Sequence, residues 1–228
     1  MTTSRSASLT TDEQLAAVRA RRGHVMAHHR VLAALMPDLL DNYEQLYGAI
    51  DFTRRTLSEI EKGFVWMVVV AAGRIPIGGH HVRDFVAAGG SPTQIEAAAM
   101  LGAIAIGSPT LDTIAPGWGQ IVPGLDLERG YRRSLQAIAE SARLTPELLE
   151  ISMTAAHACC RSWNSVRRHI GSAYAAGARE HALAEALTVT ILPTGTPTFV
   201  QACNIWLKMV QSGEIRGSEA LQHVAATL

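Results

Sequence analysis

Apolar residues recur along this chain at intervals of three and four, and no continuous apolar–polar alternation of strand type interrupts them. Thr10 and Glu13 make a capping-box pattern that predicts a helix through Ala17, Val18 and Val25 to about Leu35, weakened in its middle by Gly23. Pro37-Asp38 restarts the chain into a helix from Leu39 to about Ile50, with Tyr43, Leu46 and Tyr47 on one face. Ser58 with Glu61 repeats the box and opens a helix from Ile60 to about Ala72. After Gly63 that helix is apolar almost all round, the mark of deep burial. GRIPIGG, residues 73–79, breaks it. A helix from about His80 to Ala88 then ends at Gly89-Gly90. Ser91, Pro92 and Gln94 cap the next, which runs to about Ile106. The Gly- and Pro-rich stretch APGWGQIVPGLDLERG reads as a linker into a helix from Leu127 to about Arg143. Further helices are expected over Glu147–Cys160, Asn164–Ala176, Glu180–Leu192 and Thr198–Gln211, with a short one from Ser218. The expected fold is all-α.

One skeleton occurs twice. His81, Ala87-Ala88-Gly89 and Gly107-Ser108-Pro109-Thr110 return 88 positions later as His169, Ala175-Ala176-Gly177 and Gly195-Thr196-Pro197-Thr198. The same spacing pairs Arg55 with Arg143 and Glu59 with Glu147. The chain therefore reads as a tandem duplication with two helical repeats about a pseudo-twofold axis. On this reading residues 1–10 are a disordered tail. Residues 11–125 are an N-terminal extension plus the first repeat, and residues 126–228 are a linking helix, the second repeat and the C-terminal helices.

Composition narrows the class. The 228 residues suffice for a full core, and 48% hydrophobic with 18% charged residues is globular. The low aromatic content, 5%, suits close-packed helices better than sheet. A formal net charge of zero advertises neither a nucleic-acid nor an anionic-membrane partner. The longest apolar run, Phe64 to Gly73, is too short to span a bilayer, and the N-terminus lacks the apolar segment of a signal peptide. Cys159, Cys160 and Cys203 make no disulfide framework and no zinc pattern, so no metal or cofactor is expected and a reducing cytoplasm is the simple setting.

Candidate chemistry centres on His169. It stands one turn after Ser165 and two after Ser162, on one helix face, and an antiparallel hairpin brings Glu150, nineteen residues earlier, to that face. His169 can then act as general acid or base, with Glu150 setting its tautomer or raising its pKa. Ser162 and Ser165 can donate to an oxyanion, and Arg74, Arg161 or Arg168 can pair with a carboxylate. His80 and His81 sit where a glycine turn becomes a helix, a place that favours neutral imidazole. Trp163 and Trp66 can wall a pocket. Plainer readings stand beside these: a structural histidine in each repeat, cavity-filling serines and core tryptophans. For His157, His181 and the run His24, His28 and His29, surface or packing roles are the expectation.

A glutamate, a Cys-x-x-Cys twelve residues on, a histidine four after it and a glycine eight after that form the signature of the carboxymuconolactone decarboxylase and alkyl-hydroperoxidase-D-like superfamily. From about residue 40 to 212 the chain resembles a tandem two-repeat member. Glu150, His169 and Gly177 fall on the signature, and Gly195 and Pro197 resemble the decarboxylase branch. Both cysteine positions are serine (Ser162, Ser165), and serine cannot cycle through sulfenic acid and disulfide. Arg74 holds a decarboxylase position, whereas Ile77 and Lys62 stand where glutamates are expected. The resemblance implies a cofactor-independent lyase acting on a small carboxylic acid, lactone or carbonyl compound, assembled as a homotrimer or hexamer. The same groups also suit isomerisation, dehydration, retro-aldol cleavage or lactone opening. The alternatives are a thiol peroxidase using Cys159 or Cys160, and a non-catalytic binding protein.

Overall fold

A computed structural model describes residues 9–228, and all regular structure in them is helical. The chain packs as two compact units, the first ending at Thr53 and the second running from Arg54 to Leu228. The expected tail lies outside the described residues except for Leu9 and Thr10, and Thr10 is the N-cap of the first helix.

The first unit holds α1 (Thr11–Arg22), α2 (Ala27–Leu35) and α3 (Pro37–Ile50). The single helix expected from Thr10 to Leu35 is thus two. Gly23 takes a left-handed conformation (φ 72°) and closes α1, which a residue with a Cβ does only at a cost. Val18, Ala33 and Leu40 form the core, flanked by Leu15, Val25 and Leu32. Beside them Glu44 takes a salt bridge from the buried Arg22 at 2.6 Å, and Arg22 lies over the Tyr47 ring at 3.3 Å.

The second unit is built on two helices, α4 (Glu59–Ala72) and α9 (Pro146–Cys159), which pack on each other. From Phe64 to Val69 every residue of α4 is buried, as is every residue of α9 from Leu148 to Ala158. This is what an all-round apolar pattern requires. Around them pack α5 (Gly79–Ala87), α6 (Pro92–Gly107) and α8 (Leu127–Ala142), with α10 (Trp163–Ala175), α11 (Glu180–Thr188) and α13 (Thr196–Gln211) on the other side of the sequence. The α4–α6 approach is close enough that a Cβ on Gly102 would meet Ala71 at 2.5 Å. A short α12 (Ile191–Thr194) and a terminal α14 (Glu219–Ala225) complete the unit.

Two expectations are corrected here. A further helix, α7 (Pro109–Ile121), runs through residues 115–121 of the stretch where a linker was expected, with Pro116 inside it. Pro109 starts α7 with a backbone angle already helical, and Asp112 is pinned to Arg168 at 2.6 Å. The repeat register also shifts by one. The N-caps Ser58 and Thr145 are 87 positions apart, as are the left-handed residues Arg74 (φ 53°) and Arg161 (φ 57°). The left-handed Gly89 and Gly177 are 88 apart, so the stretch from the left-handed arginine to the left-handed glycine, turn and helix together, is one residue longer in the second repeat. By this register Gly63, rather than Lys62, stands opposite Glu150. Lys62 instead pairs with buried Glu185 at 2.7 Å, and Glu185 accepts the N–H groups of Thr56 and Leu57. No single helix among the described residues is long and apolar enough to cross a membrane, though the bent pair α6 and α7 is so in sum.

Candidate active site

Three helices of the second unit converge on His169. Thr145 caps α9 and Pro146 starts it, which places Glu150 one turn in. The chain reverses through the left-handed Arg161, and α10 returns antiparallel to present His169. The Glu150 carboxylate accepts from His169 Nδ1 at 2.6 Å. The third helix, α8, buries Tyr131, Leu135, Ala139 and Ala142, a stripe at helical spacing. The Tyr131 hydroxyl lies 2.7 Å from His169 Nε2 and 3.0 Å from His157 Nε2. His157, on α9, stacks on His169 with ring centres 5.0 Å apart and planes 18° from parallel. Arg132, next to Tyr131, donates to both Glu150 oxygens at 3.0 and 3.3 Å and to Glu128 at 2.8 Å. Arg168 continues the network outward, pairing with Glu128 at 3.0 Å and Asp112 at 2.6 Å.

One proton arrangement satisfies the inner bonds. The Glu150 carboxylate only accepts, so His169 carries its proton on Nδ1 and leaves Nε2 as an acceptor. Tyr131 then donates its O–H to His169 Nε2 and accepts from His157 Nε2–H. That leaves His157 Nδ1 as a bare lone pair, and this atom is buried without a hydrogen-bond partner. An unmet acceptor is less costly there than an unmet N–H. The pKa shifts agree with a neutral pair of imidazoles. His157 is held down to about 2 by burial, with the charge of His169 and the nearby arginines acting the same way. His169 is fully buried, and burial lowers its pKa against the bond and charge of Glu150, which raise it. Burial raises the Tyr131 phenol above its ordinary range, while the Arg132 charge and the Ser108 hydroxyl pull it down.

The other sequence candidates lie apart from this network. A cleft of about 520 Å³ opens where the C-terminal ends of α4, α6 and α9 meet the start of α7, and Arg74, Cys159, Cys160 and Ser162 line it. Neither His169 nor Glu150 is in its lining. Ser165 is buried on α10, Trp163 is half-buried at its start, and Arg161 is exposed. In the first repeat His81 is buried flat on Trp66, with ring centres 4.1 Å apart and planes 12° from parallel. His80 turns its Nδ1 to the Ile77 carbonyl at 3.2 Å. Burial pushes the Cys159 thiol up to about 12 and raises Cys160 as well, the reverse of an activated thiolate. Among the described residues no group of three or more His, Cys, Asp or Glu is placed to hold a metal ion. Tyr131, Arg132 and the inward role of His157 escaped the sequence reading. The buried stripe of α8 carried the signal for Tyr131, but nothing along the chain linked that stripe to a histidine 38 residues on.

No protein-family profile matches the chain, and no curated protein matches it. Among solved structures it is similar to a provisionally named gamma-carboxymuconolactone decarboxylase subunit from Burkholderia xenovorans LB400. The identity is 17% and the TM-score 0.59, over 90% of this chain and 99% of that one. The fold is therefore all-α and of the carboxymuconolactone decarboxylase type.

Proposed function

We propose that this chain is a cofactor-independent lyase of the carboxymuconolactone decarboxylase and alkyl-hydroperoxidase-D-like superfamily, with His169 as its general acid–base group and Glu150 as its orienter. The observation that carries the reading is the 2.6 Å bond from Nδ1 to a carboxylate that Arg132 itself holds. Loss of carbon dioxide from a β-keto or vinylogous acid leaves an electron pair on the adjacent conjugated carbonyl, and the reaction is complete only when a carbon takes up a proton. A carboxylate at Nδ1 stabilises the imidazolium that must form and release that proton. Arg74, in the cleft, is the group available to a substrate carboxylate. The raised thiols favour this reading over a peroxidase.

The reading includes self-association. No residue of α7 is buried, and Trp118 and Ile121 stand 53% and 78% exposed. Light scattering reads the assembly directly.

The test is release of carbon dioxide from gamma-carboxymuconolactone, the compound in the structural neighbour's name, and from a panel of β-keto and vinylogous acids. His169→Ala is expected to lower kcat by about 10²–10⁴ with the assembly intact. Alkylation of the thiols is expected to leave turnover in place. Full turnover by His169→Ala removes the assignment.

A further inference from the structure

We propose that Tyr131 is a proton-relay residue, which carries the acid–base chemistry of His169 through the Ser108 hydroxyl to the wall of the cleft. The inference rests on His169 as the acid–base group, and it answers a difficulty in that reading. His169 is wholly buried and both its nitrogens are engaged, Nδ1 by Glu150 and Nε2 by Tyr131. A proton entering or leaving Nε2 therefore passes through the Tyr131 hydroxyl. Carboxylate, imidazole and hydroxyl stand in line at 2.6 and 2.7 Å, the spacing at which a hydroxyl is activated by an imidazole that a carboxylate orients.

Ser108 supplies the outward step. It is 93% buried (7% exposed), and its Oγ makes no hydrogen bond of ordinary geometry, yet it lies near enough Tyr131 to act on the phenol as a hydrogen-bonding neighbour. It stands at the N-terminal end of α7, between Ile106 and Pro109; both of these line the cleft, and Ser108 lies behind that lining rather than in it. A buried hydroxyl without a partner is costly in a core and is explained where a ligand completes it. His157 holds Tyr131 from the opposite side by its Nε2–H and so favours negative charge on the phenol oxygen while the proton is in transit.

The relay balances in both directions. A proton taken up from the cleft reaches Ser108 Oγ as the serine proton moves to Tyr131 and the phenol proton moves to His169 Nε2. The result is an imidazolium against Glu150. For carbon dioxide release the resting, neutral His169 first takes up one proton from solvent along these bonds, and the same bonds then run in reverse to give it to the carbon that has lost carbon dioxide, returning the imidazolium to neutral. That solvent proton is the one consumed with each carbon dioxide released.

Two measurements on the full chain test this, with Tyr131→Phe, Ser108→Ala and His169→Ala compared. Tyr131→Phe keeps the ring in place, and it is expected to lower kcat for carbon dioxide release about 100-fold with KM within about threefold. Ser108→Ala is expected to lower kcat about tenfold. Nitrogen-15 NMR of the histidine rings is expected to show His169 with its proton on Nδ1 and His157 with its proton on Nε2. Loss of the Tyr131 hydroxyl is expected to move the His169 Nε2 resonance toward that of an unbonded nitrogen. Near-normal turnover by Tyr131→Phe while His169→Ala is inactive overturns the relay and leaves His169 standing; full activity of His169→Ala removes the reading beneath both. If no acid in the panel is turned over, the spectrum decides alone: a His169 protonated on Nε2 overturns the relay.

Discussion

His81 and His169 occupy the same place in a repeated skeleton and live in opposite surroundings. His81 lies flat on the indole of Trp66. His169 lies between a carboxylate and a phenol, with a second imidazole stacked on it. The difference starts one helix earlier. Where α9 carries Glu150, the cap-to-cap register of α4 carries Gly63, and a Cβ there would meet the Phe85 ring at 3.0 Å. Phe85 in turn stands at the position of Ala173 in the second repeat. One half fills the space with an aromatic ring and the other keeps it polar. A shared helical frame thus fixes where a histidine sits, and the residue one turn into the preceding helix decides whether that histidine packs or titrates.

The strongest way to break this contrast is to remove the carboxylate. Glu150→Ala leaves Arg132 without its main partner and the His169 Nδ1–H without an acceptor, on side chains that are 29% and 0% exposed. Taking one member from a buried ion pair is expected to destabilise the fold by about 4 kcal/mol and to take acid–base turnover to background. Urea unfolding and the carbon dioxide assay read the two effects. Unchanged stability would mean that the pair is not what holds α8, α9 and α10 together.

Acid sharpens the same contrast. His157 has a folded pKa of about 2 against about 6.5 unfolded, so the unfolded chain binds the proton first as pH falls. The contribution of neutral His157 is complete above pH 6.5 and is lost as pH falls from 6.5 toward 2. By pH 4 about 3 kcal/mol has gone. His169 shifts in the same direction and adds to the slope. His157→Gln, which keeps an N–H for Tyr131, is expected to flatten the fall in urea midpoint between pH 6.5 and 4 by up to one proton. An unaltered slope would place the acid sensitivity elsewhere, His29 in the first unit being next, since burial holds it down to about 4.

Much of this was legible along the chain, for reasons that differ by residue. The all-round apolar run of α4 could only be a buried helix. The nineteen-position step from Glu150 to His169 spans the rest of one helix, a turn and two turns of the next, so an antiparallel hairpin had to bring them to one face. Tyr131 was not legible in the same way, because its helix reaches His169 through packing that no local spacing records. α7 was hidden by composition: Pro116 and two glycines read as a linker, and the tertiary bond from Asp112 to Arg168 fixes the segment on α10 instead. The gapless spacing of 88 holds at the left-handed glycines but not upstream, where the caps and the left-handed arginines are 87 apart, because a change of one residue inside the repeat leaves no mark in residue identities such as those at Arg55 and Glu59.

The smallest expected effect bears on the packed half alone. Gly63→Ala replaces glycine in a helix interior, which by propensity alone stabilises by about 1 kcal/mol. Against that, the new Cβ meets Phe85 Cδ2 at 3.0 Å, and the ring has little room to retreat, because a Cβ on Gly90 would lie 2.0 Å from its far edge. Phe85 is also only 1% exposed, so it cannot swing to solvent. Overpacking of this kind costs about 2 kcal/mol, which exceeds the propensity gain and leaves a net loss of about 1 kcal/mol in urea unfolding. Phe85→Leu in the same chain is expected to return part of that loss, since the two positions share the space. Turnover is expected to stay within about twofold of wild type, because neither Gly63 nor Phe85 is among the groups bonded around His169. A Gly63→Ala chain that kept its stability but lost activity would reverse the assignment of packing to His81 and chemistry to His169.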